Sequence, residues 1–204
     1  MTFNGLDAIE EALERLGKLM LYDYAESISL VVCGGGALNA MNIASRTTKD
    51  VDVLVIIEET DDGRKLKMGS VLPQNLVKLI ADVGRDLRQD EDWLNMGPKN
   101  VLEEYGVPGG MVERLEKREY GPALTLYFIH RTDQIYFKVL AAADPNAKPH
   151  HMEDLKDNIK PDRGEVQAAM DWLLDRKTEW PFRNRLRYVA AELGYDDIVK
   201  NIPE

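Results

Sequence analysis

Two groups of residues that could carry chemistry lie near each other in the first third of the chain. Three consecutive glycines, Gly34, Gly35 and Gly36, end one apolar run, and the carboxylates of Asp50 and Asp52 begin the next. In a strand, residues i and i+2 point to the same side, about 7 Å apart at their Cα atoms. Paired carboxylates are hard oxygen ligands that suit Mg²⁺, which also takes phosphate oxygens from a nucleotide. The spacing therefore predicts a divalent-metal site at one end of a strand, although a lone pair of this kind is in most proteins only a solvated strand end.

The glycines favour a phosphate site beside that pair. Glycine permits positive φ and, without a Cβ, lets a ligand approach the backbone closely. If the triplet leads into a helix beginning at Ala37, its N–H groups and the helix N-terminus form an anion site. A tight strand-to-helix turn without any ligand explains the same residues, and that alternative stays open.

Two other glycine-rich phosphate motifs fit poorly. The dinucleotide-binding spacing GxGxxG fails because Asn39 stands where its third glycine belongs. In that motif, moreover, the acidic residue ends the second strand, whereas Asp50 and Asp52 start theirs. A Walker P-loop is excluded since no Gly-Lys-Ser/Thr follows the triplet.

Composition indicates a soluble, globular, cytoplasmic protein. The chain has 204 residues, of which 44% are hydrophobic and 30% charged, and a net charge of -10. This charge argues against broad nonspecific DNA binding and against membrane-surface binding, both of which need a basic face. Apolar runs are too short to span a membrane. A single cysteine excludes an intrachain disulfide and is typical of a reducing compartment.

The hydrophobic pattern predicts an α/β region up to residue 130 and an α-helical region over 131–204. Strands are expected at 28–33 and 51–57, with a loop at 58–63 and an irregular segment at 90–110. A hairpin is expected within 111–129, turning at Gly121 and Pro122. Helices are expected at 7–20, 37–44, from Pro73 onward, and at 132–143, 151–158, 165–176 and 183–193.

The glycine and aspartate motifs resemble the signature of the nucleotidyltransferase-fold superfamily, the polymerase β-like group. That signature is a hydrophobic residue, Gly, Gly or Ser, a spacer, and Asp-hydrophobic-Asp. It is matched here by Cys33 to Gly36 and by RTTKDVDV. The segment RTTKDVD is similar to the corresponding segment in the branch of AbiEii-type abortive-infection toxins and their uncharacterised bacterial relatives. The stretches RTDQIYFKVLAA and HHMEDLKD resemble later helices of the same branch.

The resemblance implies a short mixed β-sheet flanked by helices, followed by an α-helical C-terminal region. It implies that the glycine turn holds a nucleoside triphosphate and that Asp50 and Asp52 bind two Mg²⁺ (or Mn²⁺). The reaction would move a nucleoside monophosphate to a hydroxyl of a protein, an RNA or a small molecule. The branch further suggests a toxin-like role with an antitoxin as partner.

Three cationic side chains are further candidates. Arg46 and Lys49 flank the aspartates and would neutralise phosphate charge, or serve only as solvated loop residues. Lys138 lies in an apolar helical stretch. By resemblance, its ammonium would face the triphosphate or pair with an acid, for which Asp154 and Asp157 are candidates; otherwise the side chain would reach solvent.

The chain also departs from the signature. Fully active members usually carry a third carboxylate on a later strand, and the expected strand here, LTLYFI, contains no acid. Asp133 follows it at a helix start, where the family does not place this residue. An alternative is therefore a degenerate member that binds nucleotide or a partner protein without turnover. The roles of His150, Asp154 and Asp157, which a regular helix would place on one face, are left open.

Overall fold

The computed structural model describes residues 3, 5–23, 26–45, 47–177 and 179–202. Residue contacts divide the chain into two compact units, an N-terminal unit, Met1–His130, and a C-terminal unit, Arg131–Glu204. Among the described residues, the strands all belong to the N-terminal unit. No helix in these ranges is long and apolar enough to cross a membrane.

A mixed, open sheet forms the framework of the N-terminal unit. The strands found in its described part are β1 (Ile28–Cys33), β2 (Val51–Thr60), β3 (Gly63–Lys67), β4 (Leu94–Asn95), β5 (Glu116–Glu119) and β6 (Leu124–Phe128). Their order is β3-β2-β1-β6-β5, and the short β4 lies beside the start of β2. Strand β1 is antiparallel to β2 and parallel to β6. The expected mixed α/β class, with a sheet flanked by helices, is confirmed.

The helices of the N-terminal unit precede or connect these strands. They are α1 (Leu6–Asp23), α2 (Gly34–Ala40), α3 (Gln74–Asp86), α4 (Lys99–Tyr105) and α5 (Met111–Arg114). Apolar stripes of α1 and α3 form one core cluster with alternate residues of the strands, among them Val32, Val51 and Val53. Burying each large aliphatic side chain contributes roughly 1.5–3 kcal/mol. Since side chains alternate along a strand, Asp52 faces away from this core.

Several expected elements differ from those observed. The segment 58–63 is mostly a hairpin, since β2 continues to Thr60 and β3 begins at Gly63. The segment 90–110 contains β4 and α4. The expected hairpin comprises only β5 and β6, because Met111–Arg114 is helical. Each misassigned element is short or solvent-exposed, so its residues show too little apolar periodicity to predict it.

The elements in the described part of the C-terminal unit are all helices. Its elements are α6 (Arg131–Ala142), α7 (Pro149–Glu153), a π-helix (Asp154–Ile159), α8 (Arg163–Leu174), α9 (Trp180–Glu192) and α10 (Asp196–Asn201). Helix α8 begins with a capping box in which Asp162 and Glu165 exchange side-chain-to-backbone hydrogen bonds. Arg131 of α6 donates to the same Glu165 at 2.5 Å, which joins the starts of α6 and α8.

Candidate functional site

The glycine triplet and the aspartates meet at one edge of the sheet. Because β1 and β2 are antiparallel, the end of β1 lies beside the start of β2, and Cys33 pairs directly with Asp52. Val51 and Val53 are fully buried, whereas Asp50 and Asp52 on either side of Val51 are half-buried. This alternation indicates that both carboxylates lie on the face opposite the core. A bulge with Leu54 as the extra residue follows, two positions beyond Asp52.

Gly34 lies directly against the Asp52 carboxylate. Its φ is +73°, a conformation that favours glycine, and a Cβ placed there would lie 2.3 Å from Asp52 Oδ2. A Cβ on Gly36 would lie 3.2 Å from the Asp50 carbonyl oxygen and 3.3 Å from the Val51 Cα. Because glycine has no side chain, the turn can pack against the segment that carries the carboxylates.

Helix α2 begins earlier than the sequence predicts. All three glycines, including the buried Gly35, form its first turn, so the expectation of a helix starting at Ala37 is wrong. The helix has only seven residues. Its macrodipole is therefore a minor contribution, and the close contact between the turn and Asp52 is the stronger feature of this edge.

A third strand brings an unpredicted residue to the site. The short strand β4 runs parallel to β2, with Leu94 opposite Val51 and Asn95 opposite Asp52. Leu94 and Val51 are buried in the core, whereas Asn95 and Asp52 are half-buried on the other face. Sequence reasoning missed Asn95 because a strand of two residues shows no periodicity, and the only local signal was the glycine and proline content around it.

Trp93 anchors this short strand. Its ring is fully buried, and its Nε1–H donates to the Ile80 carbonyl at 2.9 Å. Its backbone carbonyl accepts from the Val51 N–H at 2.6 Å. Gly84 of α3 permits this packing, since a Cβ there would lie 2.5 Å from the Asp90 carbonyl oxygen. The position of Asn95 therefore depends on the packing of Trp93 against α3 and on its bond to Val51, which is distant in sequence.

The three predicted cationic residues lie in different parts of the chain. Lys49 is exposed beside Asp50, where it is available to an incoming anion. Arg46, the other predicted phosphate contact, lies outside the described residues. Lys138 belongs to the C-terminal unit, where it is almost fully buried and donates to Asp154 Oδ2 at 2.6 Å.

Asp154 is held from two sides within the C-terminal unit. Besides the ammonium of Lys138, the amide of Asn158 donates to Asp154 Oδ1 at 3.1 Å. Asp154 is fully buried, whereas Asp157 is exposed, so they do not share the single face that a regular helix predicts. The π-helical winding from Asp154 to Ile159 explains the difference, because it adds a residue to the turn.

Two histidines precede this buried ion pair. His150 and His151 lie in α7 with their ring centroids 4.2 Å apart. Burial, together with the charge of Lys138, lowers the pKa of His151 to about 4. His151 is therefore neutral near pH 7. Among the described residues, these histidines belong to no cluster of three or more His, Cys, Asp or Glu side chains that could hold a metal ion.

The donor set at the sheet edge fits Mg²⁺ in company with phosphate. The described residues place no third acidic, histidine or cysteine ligand with Asp50 and Asp52, and β6 supplies none. Mg²⁺ is commonly bound by one or two carboxylates, with waters and substrate phosphates completing its octahedron. Two carboxylates on a half-exposed face, next to a turn without side chains, have this chemistry.

Compared with known proteins, the chain matches no family model, no curated protein and no solved structure.

Proposed function

We propose that this protein is a nucleotidyltransferase of the nucleotidyltransferase fold, which moves a nucleoside monophosphate from a nucleoside triphosphate to a hydroxyl group. The observation that carries the proposal is the direct apposition of Gly34 and Asp52. The half-buried Gly34 at the start of the turn and a metal-binding carboxylate would then act on one ligand. The acceptor would be a hydroxyl of a protein, an RNA or a small molecule.

The residues at this edge of the sheet would bind different parts of a metal–triphosphate complex. Asp50 and Asp52 would hold Mg²⁺ or Mn²⁺, which neutralises phosphate charge and polarises the phosphoryl group when bound. Of the three glycines predicted to hold the phosphates, Gly34 is half-buried and would leave them room to approach the backbone, whereas Gly35 and Gly36 are buried. Most of the catalytic effect in phosphoryl transfer comes from such positioning and charge neutralisation.

Lys49 would neutralise further charge on the triphosphate from its exposed position beside Asp50. The same task is proposed for Arg46 on the basis of its place in the sequence. A catalytic role for Lys138 stays a prediction, because its ammonium is bound to Asp154 in the C-terminal unit. A cytoplasmic location, a toxin-like role and an antitoxin partner also stay predictions from the sequence.

A second candidate function is nucleotide binding without turnover. It is favoured by the residue beside Asp52 on β4, which is Asn95 and not a carboxylic acid. An amide cannot accept the proton of an attacking hydroxyl at neutral pH, whereas a carboxylate can.

One experiment distinguishes these candidates. Wild-type protein is incubated with each radiolabelled nucleoside triphosphate, Mg²⁺ or Mn²⁺ and a cell extract, beside Asp50→Ala, Asp52→Ala and the matched surface control Asp61→Ala. We expect label transfer in the wild type and the control, and none in the two site variants. Triphosphate binding without transfer supports the second candidate.

Ligand-induced stabilisation tests both candidates together. A triphosphate at a hundred times its Kd would stabilise the protein by about 2.7 kcal/mol, which raises the thermal midpoint measurably. If no triphosphate shifts the midpoint in the presence of Mg²⁺, both nucleotide functions are refuted.

A further inference from the structure

Asn95, Asp52 and Cys33 form a row across three neighbouring strands. Asp52 pairs with Cys33 of β1 on one side and with Asn95 of β4 on the other. Paired residues of adjacent strands project to the same face, so the Asn95 amide and the Asp52 carboxylate are side by side. Asn95 therefore occupies the nearest position from which β4 could supply another ligand to the metal.

The Asn95 amide is fixed in orientation by two hydrogen bonds. Its Oδ1 accepts from the Gly97 N–H at 2.7 Å, and its Nδ2 donates to the Asp92 carbonyl at 3.1 Å. Because one bond needs an acceptor and the other a donor, an amide satisfies both and a carboxylate satisfies only the first. This pattern assigns the amide oxygen to the Gly97 side.

The bond between Asn95 and the Gly97 N–H holds Gly97 close to Asp52. A Cβ on Gly97 would lie 3.0 Å from Asn95 Oδ1 and 3.7 Å from Asp52 Oδ1. The other carboxylate oxygen, Asp52 Oδ2, faces Gly34. Each oxygen of Asp52 is thus approached by a glycine, while the adjacent side chain on β4 adds no negative charge.

We propose that Asn95 restricts the Asp50–Asp52 site to one divalent cation, an inference that rests on the proposed nucleotide-binding function. Two divalent cations in a phosphoryl-transfer site lie roughly 3.5–4 Å apart and repel each other, so each further carboxylate favours binding of the second cation. With only two carboxylates and a neutral amide, the site holds the cation that accompanies the triphosphate. Asn95 is then a specificity-determining residue that favours nucleotide binding over rapid transfer.

The test counts bound cations. Full-length protein is equilibrated with Mn²⁺ and a saturating non-hydrolysable nucleoside triphosphate analogue, and the Mn²⁺ bound by the analogue alone is subtracted. We expect one Mn²⁺ per wild-type chain and two per chain of Asn95→Asp. Asn184→Asp, the same charge change at an exposed position of α9, is the matched control and is expected to stay at one.

The possible results distinguish the role of Asn95 from the proposed nucleotide-binding function. If the wild type binds neither analogue nor Mn²⁺, the proposed function itself fails. If the wild type binds two ions, or if Asn95→Asp folds and still binds one, the role of Asn95 is refuted while nucleotide binding stands. A second Mn²⁺ in Asn184→Asp also refutes it, because the gain would then follow net charge alone. If Asn95→Asp does not fold, as judged by circular dichroism, the wild-type count is used alone. One Mn²⁺ per chain supports the single-cation site, and two refute it.

Discussion

Gly34 and Asp52 approach each other so closely that a single methyl group on Gly34 would lie 2.3 Å from Asp52 Oδ2. A Gly34→Ala substitution must therefore displace the carboxylate or the turn. We expect it to weaken Mn²⁺-dependent triphosphate binding at least tenfold, measured by calorimetric titration. Alanine at this positive φ also costs about 1–2 kcal/mol of stability through backbone strain.

Gly63→Ala separates strain from contact. Gly63 also has a positive φ, +113°, but a Cβ there meets no atom within 4 Å. We expect this variant to lose stability through strain and to keep wild-type triphosphate affinity. Equal loss of affinity in both variants would show that the contact between Gly34 and Asp52 has no part in binding.

Trp93 provides a test of how β4 is positioned. Trp93→Ala removes a fully buried ring that packs on Phe3 with ring centroids 5.6 Å apart. Such a truncation costs roughly 3–5 kcal/mol, and urea unfolding measures it. Trp180→Ala, at a residue that is 61% exposed, is the control and should change stability by no more than about 0.5 kcal/mol. A Trp93→Ala loss as small as that of the control would contradict an anchoring role.

The sequence was sufficient to predict the elements with a strong apolar pattern. The stripe of α1 and the buried runs of β1 and β2 follow from local periodicity, and the structure confirms them. The glycine triplet and the aspartates were expected to share one site, but beside a parallel strand; they meet because β1 and β2 are antiparallel, which places the end of one strand beside the start of the other. The periodic elements depend on residues close together in sequence.

Features that depend on distant contacts were not predictable. Strand β4 depends on Trp93, whose ring packs on Phe3 and whose carbonyl accepts from the Val51 N–H, both far from it in sequence. The two residues Leu94 and Asn95 show no periodic pattern that would indicate a strand, so Asn95 was not predicted as a neighbour of Asp52. The π-helical turn was missed for a similar reason, since a sequence pattern of 3.6 residues per turn cannot register one additional residue.

Lys138 and Asp154 form a buried ion pair whose loss should be costly. Lys138→Met removes the ammonium that neutralises a fully buried carboxylate, and breaking such a pair from one side costs roughly 3–5 kcal/mol. Urea unfolding measures this change. Lys18→Met, at an exposed residue 4.0 Å from Glu14, is the control and should cost under about 1 kcal/mol.

The double variant Lys138→Met with Asp154→Leu distinguishes a structural role from a catalytic one. Replacing both charges with apolar groups of similar volume should restore most of the lost stability. If the pair is only structural, the double variant has wild-type triphosphate binding and transfer. A stable double variant without transfer would instead support the predicted catalytic role of Lys138.

His151 should make stability fall as the pH is lowered below its unfolded-state pKa. Its folded-state pKa is about 4, lowered first by burial and then by Lys138 and His150, whereas an unfolded histidine titrates near 6.5. Between these two values the unfolded chain binds a proton that the folded chain does not, so acidification favours unfolding. With a discount for the partly exposed ring, the loss between pH 7 and 4.5 should be about 1–2 kcal/mol.

The measurement is urea unfolding across this pH range for the wild type and His151→Gln. The variant should show a shallower fall in the free energy of unfolding, by about 1–2 kcal/mol over the range, because its residue 151 does not titrate. His130→Gln removes a histidine from the N-terminal unit and leaves His151 in place, which makes it the matched control. Parallel curves for the wild type and His151→Gln would show that other groups cause the acid sensitivity of the fold.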